Sequence, residues 1–141
     1  MMEWSFEGQM EVAQAIANQW GEWMRANDVQ EVVVEVEGVG ARAAVSSQVL
    51  YQGQWVNSAL PVELVRLGVD LRVAMGRPGG GAWTWARLSM SSSQGYKLVS
   101  DFNYDREPVL DPPYTAQDVA QELEAFPRDP NAIPDWMRIG G

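Results

Sequence analysis

Glu31-Val32-Val33-Val34-Glu35-Val36-Glu37 is the stretch on which the fold turns. Val32, Val34 and Val36 alternate with Val33, Glu35 and Glu37, a period of two that puts carboxylates on one face and branched apolar side chains on the other. Such a strand has one wet face and one buried face, so its sheet is covered on one side. Working outward, Ala41–Tyr51 and Gln54–Asn57 read as two further strands, joined at Tyr51-Gln52-Gly53-Gln54 by a glycine-containing hairpin turn.

On the N-terminal side, Ser5 is suited to cap a helix running to about Asn27. Met10, Ala13, Ile16, Ala17, Trp20, Trp23 and Met24 recur at spacings of three and four and form its apolar stripe. Trp20 and Trp23 are expected as core anchors. On the C-terminal side, Pro61 opens a second helix to about Met75, with Leu64, Leu67, Leu71 and Met75 as its apolar row. Gly79-Gly80-Gly81 reads as a flexible connector. Ala82–Met90 and Gly95–Tyr104 read as a hairpin, with Trp83 and Trp85 sharing one face of its first strand. Tyr96, Leu98, Phe102 and Tyr104 share a face of the second. Thr115 with Asp118 starts a third helix, with Val119, Ala120, Leu123 and Phe126 buried, and Ile133–Met137 is expected as a packed turn. The expected architecture is α+β: an antiparallel sheet of about five strands with helices packed on one face, in a single domain over residues 1–141.

Composition narrows the chemistry. The 141 residues contain no Cys, no His and one Lys (Lys97), with a formal net charge of −9. Disulfides, thiolate nucleophiles, His-based triads and Cys or His metal sites are therefore excluded. No metal or other cofactor is expected. Residues 1–60 sum to −6, 61–100 to +3 and 101–141 to −6, so a basic middle lies between acidic flanks. That balance argues against nucleic acid as a partner. No stretch approaches the roughly 18 apolar residues of a membrane span. The N-terminus lacks the pattern of a signal peptide, so the expected location is the cytoplasm.

Three motifs have competing readings. Gly38-Val39-Gly40-Ala41-Arg42-Ala43 matches a G-x-G-x-x-A fingerprint, but a poor helix follows it, and a β-turn is the better account. Asp101-Phe102-Asn103-Tyr104-Asp105 opens like a calcium loop, yet Arg106 and Pro112 stand where that loop needs Gly and Glu. The carboxylate pairs Glu35/Glu37 and Asp101/Asp105 are of the type used in glycoside hydrolysis, without any sign of an apolar cleft around them.

Gly81-Ala82-Trp83, the strand Gly95-Tyr96-Lys97-Leu98, and Asp101-Phe102-Asn103-Tyr104-Asp105-Arg106-Glu107-Pro108 together resemble the immunity proteins of bacterial polymorphic toxin systems. The resemblance is to the YezG-like group and, more loosely, to immunity factors of NAD glycohydrolase toxins. Glu122–Pro130 and Ile133-Pro134-Asp135-Trp136 extend it over residues 76–138. The resemblance implies a non-catalytic cytoplasmic protein that neutralises a cognate toxin enzyme by occluding its active site. A basic toxin domain, a nuclease or an NAD glycohydrolase, is the implied partner, with no role for a membrane. Asp101, Asn103, Asp105 and Glu107, with Trp83 and Trp85, are the expected contact residues. Asn103 and Asp105 have a second reading, as hydrogen-bonding groups that hold the turn into Pro108. A different class, a small-ligand or carbohydrate-binding module, would use Trp55, Trp83 and Trp85 as a stacking face.

Overall fold

A computed structural model describes residues 5–138 and has an α+β architecture. Helix α1 (Phe6–Asn27) precedes strands β1 (Val29–Val39), β2 (Arg42–Tyr51) and β3 (Gln54–Asn57). Helix α2 (Val62–Met75) crosses to β4 (Trp85–Ser91), β5 (Lys97–Asn103) follows, and α3 (Ala116–Ala125) leads to the C-terminal turns. The strands form one antiparallel sheet in the order β3-β2-β1-β4-β5. The valine-rich strand is its centre.

The helix ends follow from local chemistry. The Ser5 hydroxyl accepts the Gly8 amide at 2.9 Å, and Asp28 closes α1 in the left-handed region at φ 55°. Thr115 and Asp118 form a reciprocal capping box on α3. The Thr115 backbone amide, ahead of the Arg42 guanidinium, holds the Asp118 carboxyl below its usual range. The two-residue hairpin turn at Gln52-Gly53 places both residues at positive φ, 51° and 77°, as a primed turn requires.

Period two in β1 becomes two different environments. Val32, Val34 and Val36 face α1 and α2, and join Ile16, Trp20, Met24, Leu71, Ala86, Leu88 and Met90 in the main core. Each buried valine contributes about 1.5–3 kcal/mol. Trp20 is fully buried and donates its indole N–H to the Leu64 carbonyl at 2.9 Å, whereas Trp23 only packs against the rim of that core. Gly68 lets α2 come close to the sheet, because a Cβ there would stand 3.2 Å from Val36 Cγ2. α2 therefore buries Gly68, Leu71, Arg72 and Met75, and Leu64 and Leu67 flank the contact half-buried.

The third helix closes the end of the sheet at the β1–β2 turn. There Val39, Leu110, Val119 and Met137 form a second small cluster. One expectation is corrected here: the three glycines are not a flexible connector. Gly79 and Gly81 sit at φ 79° and 74°, and a Cβ on Gly81 would stand 2.5 Å from Arg128 Nε. The loop is a mould for the buried Arg128. This guanidinium donates to Asp105 Oδ1 (3.3 Å), Ala132 O (2.9 Å), Ala82 O (2.9 Å) and Tyr104 O (2.5 Å). Its four Nη hydrogens are thereby all used.

The end cap is also held by a buried ion pair. Glu122 is fully buried and its Oε1 accepts from Arg72 Nη2 at 2.6 Å and from the Gly40 amide at 2.8 Å. Arg72, 3% exposed, also donates to the carbonyls of Trp83 (2.8 Å) and Gly38 (3.2 Å). One guanidinium thus ties together α2, β1, the chain entering β4, and α3.

Candidate binding surface

Covering one side of the sheet with α1 and α2 leaves the rows from Glu31 to Glu37 on the other side without a helix among the described residues, α3 reaching only Val39 at the β1–β2 end. The register defines the rows across it. Trp55, Leu50, Glu31, Ser91 and Lys97 lie side by side at one end. Asn57, Gln48, Val33, Ser89 and Val99 follow, then Ser46, Glu35, Arg87 and Asp101. Ala44, Glu37, Trp85 and Asn103 form the last row. Val33, between Gln48 and Ser89, is buried yet lies outside the main core. Glu35, Arg87, Lys97, Val99 and Asp101 are exposed. The centre of this face is therefore a strip of alternating charge, Glu35–Arg87–Asp101, with opposite signs directly across neighbouring strands.

The expected contact residues separate. Asp101 is exposed on this face, beside Arg87. Trp85 is half-buried on the same face, with the Arg106 guanidinium 4.9 Å above its ring and Arg106 Nε 3.9 Å from Glu37 Oε1. Trp83 does not share its face. It is fully buried, packs against Phe102 at 5.7 Å between ring centroids, and belongs to the main core. Strand β4 begins only at Trp85, so strand parity does not assign a face to position 83. Trp83 is thus removed as a contact residue by burial.

Asn103, Asp105 and Glu107 organise the chain leaving β5. Asn103 Oδ1 accepts the amides of Asp105 and Arg106, each at 2.9 Å, in an Asx turn. The Asp105 carboxylate meets Arg128 while remaining 74% exposed, and its carbonyl accepts the Trp136 indole N–H at 2.8 Å. Glu107 accepts the Tyr114 hydroxyl. Burial, followed by the hydrogen bond and charge of Glu107, pushes the Tyr114 hydroxyl up to about 12. The turn-holding reading of Asn103 is the one the geometry satisfies.

The tryptophans expected to form a stacking platform do not assemble. Trp55 and Trp85 occupy rows marked by Glu31 and Glu37, six residues apart along β1 and hence separated by roughly 20 Å. Glu35 and Glu37 share the bare face, but Glu35 lies beside Arg87 and Glu37 beside Arg106. The described residues contain no group of three or more acidic side chains placed to hold a metal ion. They also contain no helix long and apolar enough to cross a membrane.

Arg72, Arg106, Glu122 and Arg128 carry much of this organisation and were not legible as a set. In sequence each is an ordinary charged residue on a helix or loop, and most of its partners lie more than twenty positions away. Comparison with known proteins finds no matching family model and no matching curated protein.

Proposed function

We propose that the protein is an immunity protein, which binds a cognate bacterial toxin enzyme and occludes its active site. The observation that carries this reading is the bare face of the sheet. It is a firm, five-stranded surface on which the exposed Glu35 and Asp101 and the half-buried Glu31 stand beside Trp85, Trp55 and Val99. Strands hold those side chains at fixed spacings, so little conformational entropy is lost on docking. Aromatic area surrounded by charged groups is the composition of a tight protein interface. The net charge of −9 steers the chain toward a basic partner.

The sequence resemblance supports the same reading. Within it, Asn103, Asp105 and Glu107 hold the end cap, while Asp101 and Trp85 face outward from the sheet. The partner is a basic toxin domain, with nuclease and NAD glycohydrolase as its classes of activity, and the work is done in the cytoplasm without catalysis.

The test is co-expression with the product of the adjacent gene in a sensitive host. Growth arrest by that product alone, relieved by this protein, is expected, and Glu31→Lys with Glu35→Lys should abolish the relief. Normal growth of cells lacking this protein would sink the proposal.

A further inference from the structure

The sheet ends on β5, and among the described residues no strand pairs with its outer edge. Edge strands of this kind are normally short, charged or covered, because their free backbone groups recruit other strands. β5 is seven residues long, against four for β3 at the opposite edge. Its outward side chains on the bare face are Lys97, Val99 and Asp101, and all three are exposed. Val99 is 41% exposed.

This run is complementary to itself. A two-fold axis perpendicular to the sheet, passing beside Val99, pairs two copies of β5 antiparallel. Val99 then faces Val99 of the second copy, and Lys97 faces Asp101 twice. Leu98 faces Ser100 on the opposite side. A shift of two residues toward the C-terminus sets Val99 against Asp101 and Lys97 against Asn103. A shift of two the other way sets Lys97 against Val99 and Asp101 against Gly95. Both alternatives lose the two charge pairs. A shift by one turns the bare face of one copy away from that of the other. Only the Val99-centred register matches both charges while keeping the bare faces coplanar.

We infer that β5 is a self-association edge, through which two copies join into a continuous ten-stranded antiparallel sheet with isologous symmetry. Lys97, the only lysine in the chain, neutralises Asp101 of the second copy and fixes the register. The two bare faces become one surface twice as wide. This inference goes beyond the proposed function and is tested on the isolated chain, with no toxin present.

Sedimentation equilibrium over a concentration series reads the association directly, with circular dichroism confirming that each variant folds. The wild-type chain should form dimers. Lys97→Asp should weaken association at least tenfold, because the introduced carboxylate would face the Asp101 carboxylate of the second copy, and Asp101→Lys should do the same by opposing two ammonium groups. The double exchange Lys97→Asp with Asp101→Lys should restore association, because the pairs are re-formed with reversed polarity. A wild-type chain that stays monomeric throughout overturns the inference. So does a folded Lys97→Asp variant that dimerises like wild type, or a double exchange that fails to recover.

Discussion

Replacing Glu122 with Leu should be among the most damaging single changes available outside the main core. Its carboxylate is fully buried and receives Arg72 Nη2 and the Gly40 amide. Removing it leaves the buried Arg72 guanidinium without a counter-charge, which costs about 3–5 kcal/mol. Arg72→Met should cost a similar amount, because it strands Glu122 and also orphans the carbonyls of Trp83 and Gly38. The two losses share one cause. The double variant no longer holds an unpaired buried charge and should fall short of the sum of the singles by about 2–3 kcal/mol. Against a typical total stability of about 5–15 kcal/mol, each single change is severe while the double remains measurable. Urea unfolding followed by tryptophan fluorescence is the assay, since Trp20 and Trp83 are both fully buried. Additivity within about 0.5 kcal/mol would refute the argument that the pair acts as a unit.

Gly81→Ala should lower the urea midpoint, at a cost of about 1–3 kcal/mol for a left-handed non-glycine residue, and would crowd Arg128 Nε as well. Arg128→Lys should cost at least about 2 kcal/mol, because one ammonium cannot serve acceptors on four residues; a midpoint within error of wild type would contradict the mould described for this loop. Alkaline titration followed by phenolate absorbance should show one of the four tyrosines ionising near 12, well above the ordinary value of 10.0. Because folding favours neutral Tyr114, this contribution to stability is fully present below pH 10.0 and disappears as pH rises through about 12. Glu107→Gln should bring that tyrosine down part of the way, burial holding the remainder; four tyrosines titrating together would contradict it.

The fold was legible where its cause is local. Alternation in residues 31–37, the spacing of Ile16, Trp20 and Met24, and the caps at Ser5 and Thr115 depend on neighbours within a few positions, and they appear as expected. Misreadings arise where a distant partner decides. Gly79-Gly80-Gly81 resembles a flexible connector until Arg128 is placed against it. Trp83 and Trp85 share a face only if the strand begins at or before position 83, and it begins at Trp85. Arg72 and Glu122 sit at helix positions that charge alone assigns to solvent, and they are buried because each neutralises the other across 50 residues.

The candidate surface was half legible for the same reason. Asp101 and Trp85 emerge from period two in the last hairpin, and Glu35 from period two in the first. That these hairpins lie side by side, bringing Arg87 between Glu35 and Asp101, depends on the α2 crossover that sets β4 against β1. The acidity of residues 101–107 is also tempered once neighbours are in place, since Asp101 lies beside Arg87 and Asp105 meets Arg128. What faces outward is a patterned surface of both signs, suited to specific recognition as much as to long-range attraction.

Rescue of growth tests the immunity reading most directly. The product of the adjacent gene is expressed alone, with the wild-type chain, and with the folded Glu31→Lys, Glu35→Lys double variant. The account predicts arrest, recovery and arrest, in that order. Recovery with the reversed-charge face would contradict the assignment of the binding surface, and an adjacent product that never arrests growth would contradict the immunity function itself.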